Sequence, residues 1–293
     1  MRVGLIGVGN MGRAIAERLV EEGHNPLIWN RTASKAQGIA GTEVAESPAA
    51  VAAGTDVIIS ILANDTAIDV AYRGDAGLCA ADLTGKVVVE MCTTSPQTTQ
   101  TLEAEVTARG GLFLECPVGG TIAPARAGQL LGLAGGSDAA FAAAKPVLDS
   151  LTRRLEHLGP VGSGAAMKLA INLPLMVYWG AVGEAIGLAT GKGIDPDLAI
   201  DILADSSGAI GAAKKRLPPI GEMLKNGDPG GVSLNLNNGI KDMKLMEALA
   251  AELGLSATVV AAARARAEVA AAGGWADHDT SLFGIFGQTG GAA

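Results

Sequence analysis

Lys168 and Asn172 lie four residues apart in residues 162–191, GSGAAMKLAINLPLMVYWGAVGEAIGLATG, a stretch of helical spacing that carries a charge where an apolar face should be. Residues four apart share one side of a helix, and Leu175, Met176 and Trp179 continue that side down the next turns. Burial among large apolar groups disfavours an ammonium and lowers its pKa, which suits a lysine that gives and takes a proton near neutral pH. The competing reading is a lysine that snorkels out of an ordinary core helix. Pro174 should kink this helix near Ala170 or free a carbonyl there. Gly183, Gly187 and Gly191 line the opposite edge, a small-residue ridge on which another helix could pack closely. Between Lys168 and Glu184 no residue is charged, yet that run is shorter than the roughly 18 to 20 apolar residues of a membrane span, so a buried core helix and no membrane partner are expected.

A second chemical signal lies at the N-terminus, where Gly7-Val8-Gly9-Asn10-Met11-Gly12 follows the apolar residues 2–6 and precedes the helical pattern of residues 13–22, closed by Gly23. This is GxGxxG between a strand and a helix. The first glycine permits the tight turn, the second lets a pyrophosphate approach the backbone, and the third lets helix and strand pack closely. The unpaired N–H groups of the helix start then face the phosphates. Dinucleotide binding is the reading this context supports. A second strand over residues 26–29 ends at Asn30-Arg31-Thr32, where a site preferring NAD places an acid to hold the ribose 2′-hydroxyl. Arg31 stands there instead, with Thr32 and Lys35 nearby, and a guanidinium pairs bidentately with a 2′-phosphate, so NADP(H) is the expected cofactor.

The elements that must position these groups alternate through the first half of the chain. Short apolar runs at residues 57–62, 86–91 and 112–116 alternate with helical patterns near 47–53, 96–109 and 138–150, which predicts an α/β fold with a mostly parallel, doubly wound sheet. Ligands of such sheets sit beyond the carboxyl ends of the strands, and this singles out Leu62-Ala63-Asn64, Cys92-Thr93-Thr94 and Pro117-Val118-Gly119-Gly120-Thr121. Each is also ordinary turn chemistry. Alternation stops after residues 155–158, and the long helix with Lys168 opens an all-helical remainder. Asp195-Pro196 starts a helix at about residue 197, residues 241–253 and 256–272 are further helices, and Pro218-Pro219 and Asp228-Pro229-Gly230-Gly231 mark loops. The boundary falls near residue 162, giving domains 1–162 and 163–293. Lys241-Asp242 opens a helix after a loop over residues 235–239 and is either a cleft residue pair or a solvated one.

Composition narrows the function classes. A chain of 293 residues that is 48% hydrophobic and 18% charged has the length for two domains and a large core, which excludes disorder. Its 41 glycines with 3% aromatic content point to tight turns and close backbone packing. A formal net charge of -8 argues against a nucleic-acid partner, so an anionic ligand must be met locally. Cys79, Cys92 and Cys116 are widely spaced without CxxC, so neither a disulfide framework nor a metal site is indicated, and a reduced, cytoplasmic compartment fits. The N-terminus enters a strand pattern at once, with no signal-peptide or transit composition.

Four stretches in order resemble one family: the glycine motif with Asn30-Arg31-Thr32; Glu115-Cys116-Pro117-Val118-Gly119-Gly120; Gly162-Ser163-Gly164-Ala165-Ala166-Met167-Lys168 with Asn172; and Lys241-Asp242. By these the chain resembles the β-hydroxyacid dehydrogenases, which include 3-hydroxyisobutyrate dehydrogenase, tartronate semialdehyde reductase and the glyoxylate and succinic semialdehyde reductases. The resemblance runs nearly end to end. It implies a Rossmann domain, a long connecting helix and an all-α C-terminal domain, with homodimers or homotetramers formed through the helical domains. It implies that Lys168 is the general acid for carbonyl reduction, and the base in reverse, with Asn172 positioning a small-molecule substrate beside it. Thr93 then borders the nicotinamide, Lys241 lines the cofactor cleft, residues 118–120 anchor a substrate carboxylate, and Trp179 joins the substrate set. The anchor departs from the family pattern of aspartate, alanine, proline, valine, serine, glycine, glycine, because Glu115 and Cys116 replace the first pair and Gly119 replaces the serine. Backbone N–H groups of Gly119, Gly120 and Thr121 can still hold a carboxylate. The lost hydroxyl keeps open a reductase of imines or uncharged ketones, since imine reductases resemble the same family. A non-catalytic dinucleotide-binding module would account for the glycine loop but not for Lys168 with Asn172.

Overall fold

A computed structural model describes residues 1–288. The strands are β1 (Val3–Ile6), β2 (Leu27–Trp29), β3 (Glu43–Val44), β4 (Val57–Ser60), β5 (Val87–Glu90), β6 (Leu112–Glu115), β7 (Val118–Gly119), β8 (Leu130–Gly136) and β9 (Thr152–His157). Between them run α1 (Asn10–Glu21), α2 (Ala33–Ala36), α3 (Pro48–Gly54), α4 (Asp65–Arg73), α5 (Pro96–Thr107), α6 (Ile122–Arg126) and α7 (Asp138–Leu151). They are followed by α8 (Ser163–Thr190), α9 (Pro196–Asp205), α10 (Ala213–Asn226), α11 (Leu236–Glu252) and α12 (Thr258–Ala270). Two compact units divide at Leu169 and Ala170, inside α8.

The first unit is the expected doubly wound sheet. Its strand order is β3-β2-β1-β4-β5-β6-β8-β7, with β9 paired to β8. The run from β3 to β6 is parallel throughout, while β8 lies antiparallel to β6 and β7. Strands β1, β4 and β5 are buried at every position because helices cover both faces. Alternate residues divide between two cores. Leu5, Val57, Ile59, Val87 and Val89 pack with α1 and α7, whereas Ile6, Ile58 and Val88 pack with α3, α4 and α5. Ser47, Asn64, Ser95 and Ser137 end the loops by accepting a hydrogen bond from the N–H three residues on, so each following helix starts at a defined place. Strand β8 escaped the sequence reading because LLGLAGG is diluted by glycine and has no β-branched residue.

The helical unit departs from expectation in four places. Pro218 and Pro219 lie inside α10 and do not mark a loop; buried Leu217, Ile220 and Met223 hold that turn in place although two backbone donors are missing. Helix α11 begins at Leu236, not Lys241, because the Asn235 side chain accepts from Asn238 N at 2.9 Å and caps it. The glycine ridge of α8 receives the C-terminal segment Thr280–Ile285 and not a helix: a Cβ on Gly183 would lie 2.0 Å from the Gly284 carbonyl carbon, and Gln288 Nε2 donates to Gly183 O at 2.8 Å. Finally, α8 is one helix of 28 residues, unbroken at Pro174, with an 18-residue window of mean hydropathy 1.4, so it is long and apolar enough to cross a membrane. The apolar run simply continues past Glu184. Its Leu169, Met176, Trp179, Val182 and Ile186 are nonetheless buried by packing within the protein.

Asp279 fastens the C-terminal segment. Its Oδ2 accepts from Arg216 Nη1 at 2.8 Å, Ser233 N at 2.8 Å and Leu234 N at 3.4 Å, and its Oδ1 accepts from Ser281 N at 3.0 Å and Ser281 Oγ at 2.8 Å. Burial pushes this carboxyl up, but those backbone donors and the Arg216 charge outweigh it and hold it below the usual aspartate range. A depressed folded value stabilises the fold above the unfolded aspartate pKa, near 4, and the contribution disappears as pH falls through the folded value. Asp279→Ala should cost about 3 kcal/mol at neutral pH, measured by denaturant unfolding, since it strands Arg216 and three backbone donors. The variant should also lack that part of the native acid-unfolding limb.

Candidate active site

The chain leaves β1 in one direction toward β2 and β3 and returns past β1 to β4, so the sheet switches direction beside β1. That is where an open α/β sheet has its ligand crevice, and residues 7–12 occupy it. Gly7 has φ +100°, and a Cβ there would lie 2.2 Å from Ile61 O. A Cβ on Gly12 would lie 1.9 Å from Gly7 O, so α1 can close on the turn only without one. Gly9 differs: no atom lies within 4 Å of its Cβ position. Its open side fits a ligand phosphate against the backbone, with Asn10 and Met11 leading into α1.

Asn30 serves as a brace between two loops. Its Oδ1 accepts from Val8 N at 2.9 Å and its Nδ2 donates to Thr32 O at 2.9 Å, tying the glycine turn to the loop after β2. Arg31, Thr32 and Lys35 are exposed on that loop, and neither cation forms an ion pair with a described residue. The loop ends of β4 and β5 are joined as well, since Leu62 N donates to Cys92 Sγ at 2.8 Å. Ala63 is exposed beside it, and the Asn64 side chain is taken up capping α4. Thr93 is half-buried.

Below this rim is a polar group that sequence reasoning missed. Glu90 is fully buried at the end of β5; its Oε2 accepts from Ser60 Oγ and Tyr72 OH, both at 2.8 Å, and its Oε1 accepts from Cys92 N at 2.8 Å. Burial raises the Glu90 carboxyl pKa, against the pull of these hydrogen bonds, and burial beside Glu90 lifts Tyr72 well above the ordinary phenol value. Only the isolated acid in the apolar run VVVE hinted at it.

On the next strand Glu115 is followed by the anchor loop. Val118 and Gly119 form β7, Gly120 has φ +129°, and a Cβ there would lie 2.8 Å from Leu130 Cδ2. Gly120 and Thr121 are exposed and precede α6. Cys116 is buried, and burial pushes its thiol up to about 12, so it is an inert thiol.

Lys168 is half-buried on α8, with Asn172 one turn on along the same helix and Trp179 buried further down. Within the helical unit Asp242 joins two of the expected residues. Its Oδ2 accepts from Asn172 Nδ2 at 3.3 Å, and its Oδ1 pairs with Lys241 Nζ at 3.0 Å. Asp242 is 3% exposed, so this carboxylate is a buried junction that fixes the orientation of the Asn172 amide. The pair Lys241-Asp242 was legible in the sequence, but its link to Asn172 was not.

Residues 2–159 match the family model described as the NAD binding domain of 6-phosphogluconate dehydrogenase, and residues 162–283 match that described as NAD-binding of NADP-dependent 3-hydroxyisobutyrate dehydrogenase. The chain is 34% identical over 283 residues to glyoxylate/succinic semialdehyde reductase 1 of Arabidopsis thaliana, covering 96% of each chain. Among solved structures it resembles 3-hydroxyisobutyrate dehydrogenase of Mycobacterium tuberculosis, determined with L-serine, at 27% identity and TM-score 0.81 over 97% of this chain and 98% of that one. An imine reductase from Myxococcus stipitatus in complex with NADP+ shares the fold at 21% identity and TM-score 0.63, over 97% of this chain and 98% of that one. A glycine turn at the sheet's switch point and the end-to-end match to these relatives place the chain in the β-hydroxyacid dehydrogenase family, whose members are NAD(P)-dependent oxidoreductases.

Proposed function

We propose that this protein is an NADPH-dependent reductase of small aldehyde or keto acids, able to run in reverse on the β-hydroxyacid product, with Lys168 as general acid and base. The observation that carries the reading is the pairing on α8: Lys168 and Asn172 stand one turn apart, and the Asn172 amide is held by buried Asp242. A snorkelling lysine has no need of an oriented amide beside it. Bound in the crevice, NADPH supplies the hydride. Gly7, Gly9, Asn10, Met11 and Gly12 hold its pyrophosphate, and Leu62, Ala63, Asn64, Thr93 and Lys241 border the rest of it. Arg31, with Asn30, Thr32 and Lys35 around it, meets the 2′-phosphate; neither Arg31 nor Lys35 forms an ion pair among the described residues, and no acid ends β2.

In the reducing direction the Lys168 ammonium gives a proton to the carbonyl oxygen, and in oxidation the neutral amine removes it. Asn172 orients that oxygen, the loop that Val118 opens holds the carboxylate through the backbone N–H groups of Gly119, Gly120 and Thr121, and Trp179 supplies an apolar wall. The functional division falls at residues 1–162 and 163–293. Exposed Leu188, Leu198, Ile202 and Val259 on the helical unit support self-association as a homodimer or homotetramer, and three free cysteines fit a cytoplasmic, reducing compartment. The second reading, a reductase of imines or uncharged ketones, draws on the missing hydroxyl at Gly119.

Three measurements test these assignments. Arg31→Asp should weaken NADPH binding by more than about tenfold, because a charge-assisted pair gives way to repulsion; equal affinity of the native protein for NADH and NADPH would refute the preference. Lys168→Met keeps the apolar stem and removes the proton donor, so turnover should fall by about 10²-fold to 10⁴-fold with NADPH affinity nearly constant. Retained turnover would return Lys168 to a snorkelling role. Gly119 lies in strand β7 and not in the left-handed region that calls for glycine, so Gly119→Ser tests the missing hydroxyl without backbone strain. That bond to a carboxylate is worth about 1.5 to 3 kcal/mol, which should lower the KM for glyoxylate or succinic semialdehyde about tenfold, whereas Gly119→Ala should not. Equal behaviour of the two variants on acids, with native activity confined to imines, would favour the second reading.

A further inference from the structure

Glu115 is a fully buried acid that the proposed chemistry does not use. It ends β6, three residues before the β7 segment that opens the anchor loop. Its Oε1 accepts from Gly162 N and from Gly164 N, both at 2.7 Å, and its Oε2 is buried with no hydrogen-bond partner among the described residues. Thr99, a neighbour of this carboxyl, directs its hydroxyl to Pro96 O at 2.9 Å.

The donors that Glu115 takes are those a helix cannot satisfy itself. Helix α8 begins at Ser163, and the first N–H groups of any helix have no partner within it. Here Ser163 N donates to Pro160 O at 3.1 Å, Ala166 N is bonded to Gly162 O at 3.0 Å, and Glu115 takes Gly162 and Gly164. The neighbours are cut back to admit it. A Cβ on Gly135 would lie 2.4 Å from Glu115 Oε1, and a Cβ on Gly164 would lie 3.2 Å from the same atom and 2.2 Å from Leu133 O. Burial raises the carboxyl pKa against the pull of neighbouring Thr99 and of the Gly164 and Gly162 N–H groups, so the fold keeps this acid at a cost. Lys168 follows Gly164 by four residues, about 6 Å along the axis at 1.5 Å per residue. A tilt of the helix start therefore moves the lysine directly.

We propose that Glu115 is the positioning residue of the proton donor: through Gly162 and Gly164 it fixes the start of α8, and with it Lys168, to the end of the strand from which the carboxylate-anchor loop departs. The inference rests on the reading of Lys168 as general acid. It assigns to one side chain the register between the group that protonates the substrate and the loop that holds it. Misplacing a reacting group by about 1 Å can cost 10²-fold in rate, so loss of this tie should appear in turnover rather than in binding.

The test uses the full chain and two replacements of similar bulk. Glu115→Leu removes the acceptor, whereas Glu115→Gln keeps the length and one acceptor oxygen. The readouts are kcat and KM for succinic semialdehyde, NADPH affinity by fluorescence titration, and Tm. The leucine variant should lose about tenfold or more in kcat with KM and NADPH affinity within about threefold of native, and the glutamine variant should recover kcat to within about threefold. Should the leucine variant not fold, Glu115→Asp, which withdraws the oxygen by one methylene, is read against glutamine by the same criterion. Native kcat in the acceptor-deficient variant overturns the proposal, as does a loss of kcat, KM and NADPH affinity together that glutamine does not restore. Lys168→Met separates the layers. If it stays active the reading beneath has failed, and if it is inactive while the Glu115 variants behave as native, only this inference has.

Discussion

Backbone N–H groups beyond the last ladder bond of a buried parallel sheet must find acceptors where there is no water, and the loops at the carboxyl ends of this protein's strands depend on how that is met. Ser60, Glu90 and Glu115 are successive register partners on β4, β5 and β6, one polar row across the end of an otherwise apolar face. Glu90 takes the Cys92 N–H and the hydroxyls of Ser60 and Tyr72, while Glu115 takes the start of α8. A stranded buried donor costs about 1 to 3 kcal/mol, so each acid fixes its loop more firmly than an apolar residue could. Burial raises the carboxyl pKa of both glutamates against the pull of the hydrogen bonds they accept, so each arrangement carries a desolvation cost.

The helical unit solves the same problem with aspartates. Asp242 gathers Asn172 and Lys241, and Asp279 gathers Arg216 with the Ser233, Leu234 and Ser281 N–H groups. The two differ in surroundings. Asp279 has enough donors to be held below its ordinary range despite burial, which makes it a structural clasp for the segment seated on the α8 glycines. Asp242 instead holds two side chains that carry the proposed chemistry, so its effect is on their orientation.

Charge is handled locally because the chain as a whole is acidic, with a formal net charge of -8. Long-range attraction does not bring a polyanionic cofactor to such a surface, and short-range geometry has to do so. An open Gly9, the start of α1 and the uncommitted cations Arg31 and Lys35 lie in successive loops of one crevice. Asn30 keeps two of those loops in register, so its value lies in spacing them as much as in touching a ligand.

The doubly wound sheet, the glycine turn at its crevice, the helical second half and the Lys168–Asn172 stripe were all legible in the sequence, because each is written in local periodicity and in residue types with narrow backbone preferences. Nearest-neighbour chemistry does not extend to the rest. Pro218 and Pro219 argue for a loop until buried Leu217, Ile220 and Met223 hold the helix through them. The α8 glycines announce a close approach without saying that the C-terminal segment makes it. Glu90, Glu115 and Asp279 announce no partner along the chain and Asp242 announces only Lys241, yet their partners lie up to 70 residues away. Sequence determined the elements and the candidate chemistry; tertiary structure alone decided which buried acid satisfies which distant backbone donor, because a hydrogen bond needs about 3 Å of spatial proximity, which separation along the chain does not report.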